Sequence, residues 1–458
     1  MAIPEKLPRP MVIAYAVPSI GIMWTQILFT NYFFKYSVDV LLVAPATIGW
    51  VLLVTRLWDA VSDPVVGFLT DATRSSAGRR RPWVFASAIP VALSGFLMWN
   101  PPVGLSQDLL VLWMFLAVLV WETAMTAMFV PYMALGSEVS MNHHDRTRVA
   151  GYRHVFGGAG QLCVIGSVYL LTASESPRET AFWLLIGGGA LAASLKMVGI
   201  WFVRENTVHA GRGSRHPLHA VRDVFSNPHL LRLVAIYFFE ITSVAAIGLL
   251  ASFVCQYVIG RAEFFPALLL VFQLSSYLST PVVVTAARRF GKKTVWIGTM
   301  LVQAGGFAAT FFIGTGDELY ALACITVVGL GSAGGTVLGM SILADVVDYD
   351  EYRSGERKEA LHYAAINIAR KVSFASVTAF VGVAMEGIGF EPNADQTADA
   401  LAGLSALFAG IPAVALVVSA GLLWSFGLTG EEHARVRAAL DVRLAQANRD
   451  RLESSRPV

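Results

Sequence analysis

The chain has 458 residues, 55% of them hydrophobic and 14% charged, with a mean hydropathy of +0.59. Soluble domains carry about 25% charged residues, so the composition excludes an ordinary globular protein and indicates a polytopic membrane protein. A formal net charge of +2 gives no sign of nucleic-acid binding, because the basic residues are confined to particular loops.

Apolar runs of about 20 residues read as spans. They predict twelve helices, at 11–34, 44–70, 83–103, 109–138, 150–173, 180–204, 229–258, 264–287, 294–314, 318–346, 360–386 and 400–427. A short polar segment, Met1 to Pro10, precedes the first, without a separate cleavable apolar region. The second run contains Arg56-Leu-Trp-Asp59-Ala-Val-Ser62-Asp63-Pro64. A charged carboxylate at mid-bilayer depth costs about 2.5–3.5 kcal/mol on insertion scales. Residues at i and i+4 share a helix face, so Asp59 and Asp63 can converge on one ion. Pro64 leaves the Ala60 carbonyl without its helical partner, one more oxygen near that ion. The rival reading is a structural ion pair between Arg56 and Asp59, with no ion bound. A proton taken by Asp59 or Asp63 would make the same site serve H⁺ coupling.

Loop charges orient the chain. Basic residues cluster after every second span: Arg74, Arg79, Arg80 and Arg81; Arg146 and Arg148; Arg212, Arg215 and Arg222; Arg288, Arg289, Lys292 and Lys293; then Arg353, Arg357 and Lys358. By the positive-inside rule these loops and both termini are cytoplasmic, which fits a multi-pass protein of the cell membrane. His143-His144-Asp145 is a lone cluster on such a loop, and no metal site is expected beyond a transported monovalent cation. Cys163, Cys255 and Cys324 all lie in apolar runs and read as free buried thiols.

The longest polar connection separates six spans from six. This gives a bundle at 1–204, a cytosolic linker at 205–228, a second bundle at 229–428 and a tail at 429–458. Short basic loops at 71–81 and 288–293 echo one another, as two six-helix repeats would leave them. In the tail, Thr429-Gly-Glu-Glu432 reads as a capping box, followed by Val436, Leu440 and Leu444 at helical spacing. No phosphate loop, nucleophile elbow or zinc spacing occurs, so ATP-driven pumping and covalent catalysis lack support. The predicted fold is all-α, twelve helices in two six-helix halves, and the expected activity is transport with no cofactor. A non-transporting membrane sensor would leave the same residues.

These blocks together resemble the glycoside–pentoside–hexuronide:cation symporters, within the major facilitator superfamily, of which the melibiose permeases are members. The resemblance rests on the 56–64 block, Gly78-Arg-Arg-Arg-Pro-Trp83, Val130-Pro131-Tyr132-Met133-Ala134-Leu135 and Ala344-Asp345-Val-Val-Asp348-Tyr349-Asp-Glu351-Tyr352, with Glu359 and Lys371 beyond. It implies a cytoplasmic-membrane symporter driven by Na⁺, H⁺ or sometimes Li⁺. It places Asp59, Ser62, Asp63 and Thr126 at the family's cation ligands, and hard cations do take such oxygen donors.

The same alignment puts Met23, Phe129, Met133 and Thr336 where melibiose-type members hold the sugar with two carboxylates and two aromatic rings. Galactoside transport is therefore not expected. Glu122-Thr-Ala-Met-Thr126 and the residues after it are similar to the fourth helix of a sodium-dependent lysophospholipid branch, which makes an amphiphile the alternative cargo. Lys371 matches the family lysine on the eleventh span, with a role in substrate binding or coupling set against a static salt bridge; Asn367, one turn earlier, could share its cavity. Arg56, Asp345 and Asp348 are candidates for conformational ion pairs. Glu122 and Glu240 are weaker intramembrane candidates.

Overall fold

The computed structural model describes residues 7–138, 143–203, 226–356, 358–428, 432–440, 442 and 446. Most of the expected linker with its three arginines, Arg357, the start of the capping box, Leu444 and the side chains of His143, His144 and Arg146 lie outside the described residues. All regular structure among the described residues is helical.

Twelve long helices follow one another: Arg9–Phe33, Pro45–Ala72, Arg81–Trp99, Gln107–Glu138, His143–Thr172, Pro177–Phe202, Pro228–Ile259, Phe265–Phe290, Lys292–Ala309, Glu318–Ser354, Glu359–Gly387 and Ala398–Trp424. They are numbered below as the first to twelfth spans. Eleven of these regions are long and apolar enough to cross a membrane. The second has the length, 28 residues, but Arg56, Asp59 and Asp63 interrupt its apolar run. Helices are the required solution, because hydrocarbon offers backbone N–H and C=O groups no partner outside the segment itself. Proline opens the second, sixth and seventh spans, where its missing N–H costs nothing. The Asn227 side chain caps the seventh, accepting from the amides of His229 and Leu230.

The first span packs on the fifth and sixth, the third on the fourth and sixth, and the second on the fourth. The seventh packs on the eleventh and twelfth, the ninth on the tenth and twelfth, and the eighth on the tenth. Contact between these two sets runs mainly along the second and eleventh spans. Small residues make that seam close: a Cβ on Gly49 would lie 3.1 Å from the Ala379 backbone, and one on Gly382 would strike the Pro45 carbonyl.

Helical turns at 432–440 follow the twelfth span and bury Val436 and Leu440, in line with the spacing of the tail. His433 and Arg437 reach Asp348 at 3.1 and 3.4 Å, tying these turns to the end of the tenth span. One expectation fails. Cys255 and Cys324 are buried free thiols, but Cys163 is exposed, because its side of the fifth span faces away from the bundle.

Candidate functional site

The second span sets Arg56, Asp59, Ser62 and Asp63 along one face over about two turns, and the fourth supplies Glu122 and Thr126 four residues apart on a shared face. The Thr126 hydroxyl lies 2.5 Å from Asp59 Oδ1 and 3.2 Å from Asp63 Oδ1. Ser62 Oγ lies 3.4 Å from Thr126 Oγ1 and 3.2 Å from the Asp59 carbonyl. Asp59, Asp63 and Thr126 therefore meet directly, and Ser62 joins them through the Thr126 hydroxyl.

Lys371 of the eleventh span fills that meeting point. Its ammonium lies 2.8 Å from Asp59 Oδ2 and also pairs with Asp63 Oδ2. The lysine thus holds both carboxylates from across the seam between the two sets of helices. Arg56 does not pair with Asp59, as the structural alternative supposed; it binds Glu122 at 3.1 and 3.3 Å. The rings of Phe29 and Phe374 flank its guanidinium, at 5.2 and 5.4 Å.

A cavity of about 200 Å³ joins these groups, lined by Arg56, Asp59, Asp63, Glu122, Thr126 and Lys371 on its polar side. Met23 and Phe129 form part of its apolar wall. Two cationic and three acidic side chains face it, so with all five ionised the site carries one unit of negative charge in excess. Buried charge of one sign is costly without a counter-ion. One monovalent cation or one proton cancels it.

The other expected residues lie elsewhere. Met133 is half-exposed and takes a 3.0 Å contact from Arg153 at its sulfur, and Asn367 is exposed one turn before Lys371. Thr336 lines a separate cavity among the C-terminal spans, together with Glu240. Asp345 pairs with Lys292 at 2.7 Å, and Asp348 with the tail residues named above.

A cluster at the end of the first span falls outside the motifs singled out above. Lys35 and Asp39 form a buried pair at 2.6 Å, and the ammonium also lies 4.4 Å from the Phe253 ring. Tyr257 donates to Asp39 Oδ1 at 3.1 Å, and Asn393 donates its side-chain amide to the Asp39 carbonyl. First span, seventh span and the loop before the twelfth are thereby clasped at the end away from the basic loops. The sequence does carry a signal for it, a Lys–Asp pair at i and i+4 in an apolar run.

Comparison with known proteins gives a consistent result. The MFS/sugar transport protein family matches residues 14–430. An uncharacterized symporter of Bacillus subtilis is 27% identical over 419 residues, covering 88% of this chain and 89% of its own. A glucuronide carrier protein homolog of Escherichia coli is 22% identical over 450 residues, covering 96% and 97%. Among solved structures, a D-xylose–proton symporter superposes with a TM-score of 0.69 at 14% identity, covering 92% of this chain and 98% of that one.

Proposed function

The chain belongs to the MFS/sugar transport protein family, and on that premise we propose that it couples inward movement of a monovalent cation, Na⁺ or H⁺, to that of a carbohydrate-type small molecule bearing an acidic group. It is a multi-pass membrane transporter of the secondary class and not an enzyme. The observation that carries the coupling is Lys371 seated between Asp59 and Asp63.

A cation entering among Asp59, Asp63, Ser62 and Thr126 competes with the lysine for the same oxygens. Displaced, Lys371 turns to the cavity as a free positive charge, next to Arg370 on the same helix. An anionic substrate then binds with higher affinity, and by linkage its presence holds the cation in place by the same factor. The glucuronide carrier homolog, by its name, handles a sugar of this acidic kind. With both bound, the paired sets of helices rock and expose the site to the other side.

The basic loops mark the cytoplasmic side. The Asp39 clasp and the tight seam at Gly49 and Gly382 then lie at the outer end, which reads as an inward-facing state. Opening outward requires Asp39 to release Tyr257 and Asn393.

Uptake into sealed proteoliposomes tests the reading. Labelled methyl β-D-glucuronide and methyl β-D-glucoside are offered with an inward Na⁺ gradient, an inward H⁺ gradient, or neither. Accumulation of the acidic glycoside under one gradient, with weaker handling of the neutral one, is the expected outcome. Accumulation without any cation gradient contradicts coupling.

A further inference from the structure

A second cavity, of about 180 Å³, lies within the C-terminal spans away from the carboxylate pair. Tyr237 and Glu240 of the seventh span, Gln303 of the ninth, Thr336 of the tenth and Arg370 of the eleventh line it. Glu240 is buried and accepts a 3.1 Å hydrogen bond from Trp296 Nε1, with no ion pair among the described residues. Tyr237 and Gln303 are 3% and 1% exposed. Their hydroxyl and Nε2 atoms have no hydrogen-bond partner among the described residues. Buried polar groups are nearly always paired, so two orphans beside a buried carboxyl around one open space call for hydrogen-bonding partners held within it, a role that the hydroxyl groups of a ligand fill.

The tenth span is shaped to admit them. A Cβ on Gly335 would overlap the Glu240 carboxylate, and one on Gly339 would overlap the Tyr237 hydroxyl. The backbone passes both as a π-helical turn, Gly335–Gly339, a form that recurs at functional sites. Arg370 is exposed, lines the same cavity and attracts the Glu240 carboxylate through charge, without a direct ion pair among the described residues. Its neighbour Lys371 faces the carboxylate pair, so two adjacent residues of one helix serve two cavities.

We infer that this second cavity is a substrate subsite, in which Glu240, Tyr237 and Gln303 bind the hydroxyl groups of the transported molecule and Arg370 binds its acidic group. Glu240 accepts from a hydroxyl, while the Gln303 amide and the Tyr237 hydroxyl donate to its neighbours. A sugar ring, which offers a donor and an acceptor at each hydroxyl, satisfies all three. An alkyl chain satisfies none. The inference rests on the transporter reading above and assigns the ligand's pole to residues outside the cation site.

The test measures exchange of labelled methyl β-D-glucuronide across proteoliposomes loaded with unlabelled glycoside, which reports binding without requiring a gradient. Glu240→Gln, Tyr237→Phe and Gln303→Leu are each expected to raise the KM about 10-fold, the effect of losing one buried hydrogen bond to a ligand. Arg370→Gln raises the KM for the glucuronide and leaves that for methyl β-D-glucoside unchanged. Ligand-induced change in Trp emission falls in Trp296→Phe, since that indole donates to Glu240. KM values within about two-fold of wild type in all three hydroxyl-binding variants, in protein with a wild-type melting temperature, overturn the subsite and leave the transport reading standing. So does a Glu240→Gln variant that keeps its KM but loses gradient-driven accumulation, since Glu240 would then carry the coupling proton. Absence of exchange of either glycoside by the wild type rejects the substrate class and the subsite with it.

Discussion

Asp63→Asn is expected to abolish cation-driven accumulation while leaving the protein folded. Asp63 is partly exposed to the cavity, with 36% of its side chain accessible, so the substitution opens no void in a packed core. It removes one of the three acidic groups facing the cavity, and with it the excess negative charge that a cation cancels. Lys371 keeps Asp59 at 2.8 Å, so no buried ammonium is stranded. Losing one charged oxygen ligand at this partly exposed position costs about 1.5–3 kcal/mol, which corresponds to a loss of cation affinity of at least about 10-fold. Asp59→Asn acts in the same direction and also weakens the 2.5 Å bond from Thr126. In uptake assays both variants equilibrate substrate without concentrating it. Full accumulation by both variants would move the ion to another site.

Lys371→Gln is expected to separate cation binding from transport. The substitution removes the internal competitor for Asp59 and Asp63, so cation affinity rises, by about 10-fold if the competition is worth about 1.4 kcal/mol. Net uptake falls by a similar factor or more for two reasons. The substrate loses a positive partner, and the empty carrier must return with two carboxylates that no ammonium neutralises. Exchange between loaded states avoids the empty return, so at saturating substrate it survives when net uptake does not. A static salt bridge would give the opposite pattern, with loss of folded protein and no gain in cation affinity.

Much of this architecture is legible from the chain. The twelve spans emerge because a bilayer demands long apolar helices, a constraint strong enough to read without packing information. The second span is recognisable in spite of its charges, since two aspartates one turn apart are too costly in an apolar run unless a cation or a buried partner offsets them. Thr126 comes from the family resemblance, and the structure sets its hydroxyl on both carboxylates.

Pairing over long sequence distances is not legible in this way. Nothing local says that Arg56 chooses Glu122, 66 residues away, over Asp59 three residues on; that choice depends on how the second and fourth spans lie against each other. The same holds for Lys371 and Asp63, 308 residues apart, and for Asn393 and Asp39, 354 apart. Tyr237, Gln303 and Arg370 carry no motif at all. Tyr237 fits because Gly339 leaves room beside it, and Gln303 because Gly331 does; their meaning comes from the cavity they share. The likeness to a lysophospholipid branch bears on the fourth span alone. Met23 and Phe129 do form an apolar wall, but it stands opposite five charged side chains.

The most direct test of coupling is entry of the cation itself. Proteoliposomes containing wild-type protein are loaded with no gradient of any kind, and methyl β-D-glucuronide is added outside while ²²Na⁺ entry and internal pH are followed. The account predicts that substrate drives one of these two ions inward, and that Asp63→Asn abolishes the movement. Substrate entry accompanied by neither ion, or ion entry that persists unchanged in Asp63→Asn, would contradict it.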